Sequence, residues 1–296
     1  MRWAFTIAAK VALSQIRVPY GFWRRFGLFR HGAMDAPDYA LKIFDMHLRR
    51  AFPAGNLAGK TILEIGPGDS LASAFIGKAY GAAGVVLVDV GAFATDDLEV
   101  YRSLIAKLSE RHLVVSDLEN LTSTSDALKR CGATYLVSGV DSFLEIESAS
   151  IDYIWSHSVL EHIPKKDLRR LFSELRRILK PDGVMSHNID FQDHLQHSLN
   201  SLRFSELVWE SKIMRNAGFY TNRVRAHQMH GLIQSSGFVK LKEGFGYWEK
   251  LPIPEASIHA DFRNLDREEL LIRTSHILVR PDGYTSSSEL GATTSL

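Results

Sequence analysis

The 296-residue chain holds one cysteine, Cys131, so no disulfide can form within it, and a reducing compartment such as the cytoplasm is the expected setting. It has almost no net charge: 35 Lys and Arg against 34 Asp and Glu leave +1. The chain as a whole therefore offers no electrostatic case for nucleic acid. It lacks any apolar run approaching the ~20 residues that cross a bilayer. The stretch "WAFTIAA" is a poor secretory core, because Lys10 follows it at once. A zinc-hydrolase helix motif and internal repeats are also missing. What is plentiful is apolar side chain, 45% of the residues, enough to bury a core without metal or disulfide.

Acidic residues are absent from positions 1–34, which carry Arg2, Lys10, Arg17, Arg24, Arg25 and Arg30 among aromatic and aliphatic neighbours. Two readings stand: a helix packed on the main domain as a lid, or an interfacial segment touching the inner face of a membrane through residues 1–30. Asp35 to Arg50 has a cap candidate, an early proline and Leu41, Phe44 and Leu48 on one face, which predicts a helix. "FPAGNLAG" then breaks it. The expected organisation is a helical extension over 1–55, a main domain over 56–283 and a disordered tail over 284–296.

Within 56–283, short apolar runs alternate with helical patterns. Strands are expected at 60–66, 84–90, 133–139, 150–158 and 184–190. Helices are expected at 70–81 and 165–183, the latter with Leu168, Leu171, Phe172, Leu175, Ile178 and Leu179 in one stripe and stopped by Pro181-Asp182-Gly183. "FVKLKEGFGYW" and "TSHILVRP" read as a final antiparallel pair. The fold class that follows is α/β: a Rossmann-like, doubly wound, mostly parallel seven-stranded sheet with helices on both faces. Residues 191–230 and 249–270 are expected as insertions on the acceptor side. In the first of them, 205–218 reads as one helix capped by Ser205, with Phe204 and Trp209 as core positions or, alternatively, as platforms for a sugar ring.

The turn "LEIGPGDS" lies between the first strand and the first helix of that sheet, where ligands of doubly wound folds bind. Gly66 and Gly68 let the backbone bend and approach a ligand closely. A dinucleotide fingerprint needs a third glycine at 71, and this chain has Leu71. Glu64 places a carboxylate where a pyrophosphate would be repelled. Asp89 closes the second strand about 20 residues on, where an acid takes ribose hydroxyls. A ligand with a ribose, a cationic end and no phosphate is S-adenosylmethionine.

Four stretches in order, "LEIGPGDS", "VLVDV", "IDYIWSHSVLEHI" and "LRRILKPDGVM", resemble the class I S-adenosylmethionine-dependent methyltransferases, in particular those with a "vLEHi" signature. The resemblance implies that Glu64, Gly66 and Gly68 line the amino-acid end of the cofactor and that Asp89 binds its ribose. It further implies that Asp141 meets the adenine and that Ser156 and His157 face the methyl group. Glu161 and His162 are read as structural or cofactor-flanking. "HNIDFQDH" and the stretch after it resemble a subgroup tied to bacterial polysaccharide, which implies a small-molecule or glycan acceptor.

The Asn/Asp-Pro-Pro-aromatic tetrad that relatives methylating adenine or amide nitrogen commonly carry after the fourth strand is missing: Ser156-His157-Ser158-Val159 stands in its place. Oxygen is therefore the expected acceptor atom, and an oxygen acceptor calls for a base. Histidine, with an unperturbed pKa of ~6.5, suits the task. His157 or His187 is the expected base, with His194 and Asp190 in support. Arg223 and Arg225 are candidates to clamp an anionic part of the acceptor. His187, Asp190, Asp193 and His194 are read as a hydrogen-bond network, with a divalent-metal site as the alternative and no metal expected. Two other classes stay open: a membrane-associated lipid or quinone methyltransferase, and a binding subunit without catalysis.

Overall fold

The computed structural model describes residues 33–283 apart from 114, 115 and 119. The basic aromatic segment 1–32 and the tail 284–296 lie outside the described residues.

Helix α1 (Pro37–Ala51) starts on a proline, has Asp38 in its first turn and Arg49 and Arg50 in its last, which suits both ends of the helix dipole. It buries Leu41, Phe44, His47 and Leu48 on one face. Those side chains share a core with β1 (Thr61–Ile65), α2 (Ala72–Ala79), β2 (Gly84–Val88) and α3 (Leu98–Glu110). The sequence assigned α1 to an extension; physically it is part of the main core.

After α4 (Thr124–Cys131), capped by Ser123 and ended on left-handed Gly132, come β3 (Ala133–Leu136) and β4 (Ile151–His157). Strand β3 is shorter than the pattern suggested, because a 3-10 turn takes over at Gly139–Glu145. Helix α5 (Lys165–Ile178) buries the predicted stripe from Leu168 to Ile178, each such side chain contributing roughly 1.5–3 kcal/mol on burial, whereas Leu179, the last of the predicted stripe, is buried as the first residue of the next strand. The helix ends at Ile178, not at the Pro-Asp-Gly stop. Strand β5 (Leu179–Asp190) begins at once, and the pairing with β4 shifts register between Ile151 and Tyr153 to absorb Pro181, Asp182 and Gly183.

The predicted helix over 205–218 is corrected by the structure. It is two single turns, α6 (Glu206–Trp209) and α7 (Lys212–Arg215), each started by its own serine: Ser205 Oγ accepts from Val208 N and Ser211 Oγ from Met214 N. The second cap competes with continuation of the first helix. Helix α8 (Ala226–Ser235), β6 (Phe238–Tyr247), α9 (Arg267–Leu271) and β7 (Ile272–Pro281) complete the chain.

The sheet order is β3-β2-β1-β4-β5-β7-β6, parallel except for β7, which runs antiparallel to both β5 and β6. This is the expected seven-stranded α/β architecture. One core packs α1–α3 on one face; a second packs α5 and α8 on the other. Strand order reverses between β1 and β4, which puts the crevice of the fold at the carboxyl ends of those two strands. Among the described residues, no helix is long and apolar enough to cross a membrane.

Candidate active site

The β1–α2 turn is built to approach a ligand. Gly66 and Gly68 adopt φ of +72° and +63°, which side chains rarely tolerate. A Cβ on Gly66 would stand 2.5 Å from Val159, so the turn is packed directly against the segment leaving β4. Asp89 follows β2, and its carboxylate accepts from Gly68 N at 3.0 Å and Val90 N at 2.7 Å. The strand-end acid and the glycine turn are thus joined by a hydrogen bond.

Glu64 is 3% exposed, and its Oε2 has no hydrogen-bond partner. Burial pushes its pKa up to about 8, Ser73 holding it down and Asp89 adding to the rise. A buried carboxyl with an orphaned oxygen beside a Cβ-free turn fits the cationic amino-acid end of S-adenosylmethionine. Asp141, in the 3-10 turn after β3, is mostly exposed and pairs with Arg170 at 2.7 Å.

At the end of β4, alternation sends consecutive residues to opposite faces. Ser156 is buried and its Oγ bonds His187 Nδ1 at 2.8 Å on the α5–α8 side, among Ile154, Met185 and Ile189. His187 is fully buried, its Nε2 is unpartnered, and burial drives its pKa down to about 3. His157 faces α1. Its Nδ1 shares a hydrogen bond with His47 Nε2 at 3.2 Å, and His47 Nδ1 is bonded to Ser186 Oγ at 2.8 Å. His157 is half-buried; burial first, then the charge of Arg50, lower its pKa to about 4. The two candidate bases therefore stand on different sides of the sheet and cannot serve as alternates at one position. Ser158, the next residue, holds a φ of +54°, a strained conformation of the kind that collects at functional sites.

The other predicted residues fall around the β5 end. Asp190 accepts from the backbone N and side-chain Nε2 of Gln192. His194 stacks on His162 with their Nε2 atoms 3.3 Å apart, and His162 Nδ1 donates to Tyr220 O. Asp193 gathers the backbone N–H groups of Leu195, Ser198 and Ser201, which closes the loop after β5. Among the described residues no group of three or more His, Cys, Asp or Glu is placed to hold a metal ion.

Arg223 and Arg225 are not used as an open clamp. Arg225 is buried and donates to the carbonyls of Phe191, Glu269 and Ile272. Arg223 donates to Phe204 O and pairs with Glu206, its guanidinium lying over Trp209 and Phe262. Trp209 is a core residue with its indole N–H on Thr221 O. Glu161 is buried, with Oε2 unpartnered and its pKa raised by burial. Its carbonyl and that of Leu160 accept from Asn222, which ties the 191–230 insertion to the β4 exit.

Sequence reasoning missed His47, Arg50, Asn188 and His276. A signal existed for the first: His47 sits three residues after Phe44, inside the apolar stripe of α1.

Residues 63–186 match the family described as a methyltransferase domain. A malonyl-[acyl-carrier protein] O-methyltransferase of Methylovorus is 27% identical over 44% of this chain and 36% of its own length, so the chain matches about a third of that relative. A Mesorhizobium loti S-adenosylmethionine-dependent methyltransferase structure is 15% identical over 76% of this chain and 92% of that one, at a TM-score of 0.42. A Haemonchus contortus phosphoethanolamine N-methyltransferase 2 solved with S-adenosylmethionine is 17% identical over 80% and 51%, at 0.45. The glycine turn, the strand-end acid and the end of β4 all fall within the segment that matches the methyltransferase-domain family, and S-adenosylmethionine is the cofactor this match supports.

Proposed function

We propose that the protein methylates an oxygen of a small-molecule or glycan acceptor, with His157 as general base. Glu64, Gly66, Gly68 and Asp89 would hold the cofactor's amino-acid and ribose ends, with Ser156 beneath its methyl end and Asp141 toward its adenine. The cofactor supplies an electrophilic methyl group on a sulfonium.

The observation that carries the choice of base is the His47–His157 pair. In the tautomer in which His47 donates its Nδ1–H to Ser186 Oγ, His47 Nε2 accepts from His157 Nδ1–H, which holds the ring and leaves His157 Nε2 as the nitrogen that can take a proton. His157 ends β4, half-exposed, beside the Gly66–Val159 contact. His187, fully enclosed and bonded to Ser156, suits a packing role better. His194 and Asp190 remain candidates to support the acceptor at the β5 end. The Methylovorus relative is named for methylation at oxygen, which agrees with this reading.

The test is transfer of labelled methyl from S-adenosylmethionine to glycan and small-molecule fractions of a native extract. His157→Gln should keep S-adenosylhomocysteine binding and lose turnover. Full turnover in that variant would reject His157 as the base.

A further inference from the structure

We infer that the sheet face beneath α1 carries a subsite for an oxyanion, a carboxylate or phosphate group of the methyl acceptor, held by Arg50, Asn188 and His276. It rests on the reading that the acceptor reacts at His157.

Strand register puts His157, Asn188, His276 and Gly244 side by side on β4, β5, β7 and β6. Strands lie ~4.8 Å apart, so this row runs about 10 Å from His157 to His276. Helix α1 crosses above it. His47 meets His157, and Arg50 Nη1 donates to Asn188 Oδ1 at 3.1 Å. The four polar members, Arg50, His157, Asn188 and His276, are each half-buried.

The chemistry of the row is one-sided. A guanidinium has five N–H donors, and among the described residues Arg50 bonds Asn188 and pairs with no carboxylate. Asp190, one rung along β5, has its carboxylate on Gln192. Glu243 is turned to the other face, toward His230 and Lys240. Lys242, one rung back on β6, adds positive charge. His276 has no hydrogen-bond partner among the described residues, and its ring lies against Gly244, where a Cβ would stand 2.9 Å from Nε2. A half-buried cation without a counter-ion is costly to keep. Burial depresses Arg50, and Arg50 in turn depresses both His157 and His276. An oxyanion on Arg50 would relieve all three and bring His157 closer to the pKa a base needs. Planar, bidentate recognition of carboxylate or phosphate is what arginine does best. Asp89 lies beyond β1 from this row and the glycine turn leaves β1 itself, so Arg50, Asn188 and His276, on α1, β5 and β7, are distinct from the residues assigned to the cofactor.

The experiment is calorimetric titration of the full-length protein, loaded with S-adenosylhomocysteine, with inorganic phosphate and with malonate. Wild type should bind one of them saturably in the millimolar range, and which one binds identifies the oxyanion. Arg50→Gln and His276→Gln should each weaken binding roughly tenfold, with Arg50→Lys between, while S-adenosylhomocysteine affinity stays at the wild-type value. Equal anion binding by Arg50→Gln and wild type, or no saturable binding of either anion by wild type, would overturn the subsite. Failure of wild type to bind S-adenosylhomocysteine would count against the methyltransferase reading instead; the same anion titrations on unloaded protein would then decide the subsite.

Discussion

The imidazoles of His47 and His157 meet edge to face, with Nε2 and Nδ1 3.2 Å apart. One comes from a helix that precedes the matched domain and the other from the strand at its centre. His47 is buried, and burial followed by the neighbouring His157 pushes its pKa well down. It is therefore neutral at physiological pH and acts as a positioning partner. His47→Phe should keep the packing against Trp155 and the cofactor affinity, yet lower kcat with little change in KM. A KM-only effect, read from steady-state kinetics, would reject the positioning role.

Asp89→Ala should weaken S-adenosylhomocysteine binding by tenfold or more, roughly the loss of two charge-assisted hydrogen bonds. It removes the acceptor for Gly68 N and Val90 N as well as the proposed ribose ligand. Asp89→Asn keeps an acceptor oxygen and should fall between. Calorimetry on the three proteins gives the order.

Gly66→Ala faces two obstacles, a positive φ and a clash with Val159. The backbone cost alone is about 1–2 kcal/mol. The double variant Gly66→Ala, Val159→Ala should recover part of the thermal stability and only part, since it relieves the clash and leaves the φ. Complete recovery of Tm would show that backbone conformation at 66 is unimportant.

Glu64 gives a proton-linkage prediction. With its pKa near 8 in the folded protein, it is mostly protonated at pH 7. A cationic ligand at its orphaned Oε2 favours the carboxylate, so binding S-adenosylmethionine at pH 7 should release close to one proton. Binding enthalpies in buffers of different ionisation enthalpy measure this. Glu64→Gln should abolish the release.

Acid sensitivity follows from the buried histidines. The folded pKa values of His157 and His187, about 4 and about 3, lie below the ~6.5 of an unfolded chain. Between those limits the unfolded state binds more protons, so these groups make stability rise with pH. Their contribution is complete above pH 6.5 and is lost as pH falls toward 3. Urea midpoints should drop on going from pH 7.5 to pH 5, and His187→Asn should flatten that drop.

The parts of the molecule fixed by short-range patterning were legible in the sequence. The β1 turn was read from two glycines, Leu71 and Glu64, and α5 from one apolar stripe, because period and turn chemistry act locally. The split of 205–218 was harder, since two serine caps six residues apart compete on nearly equal terms. The opposite facing of His157 and His187 depends on register between β4 and β5, and Arg50's place over Asn188 depends on how α1 crosses the sheet. Neither is written in any local window. Arg223 and Arg225 looked free for a ligand because the carbonyls that consume them come from segments up to 47 residues away.

Helix α1 carries both His47 and Arg50, yet it ends 12 residues before the matched segment begins at 63. Trimming the protein to its recognisable domain would discard one flank of the proposed reaction chamber while sparing the glycine turn. Conversely, grafting residues 37–51 between relatives offers a way to retune which molecules are methylated without disturbing the machinery that donates the methyl group.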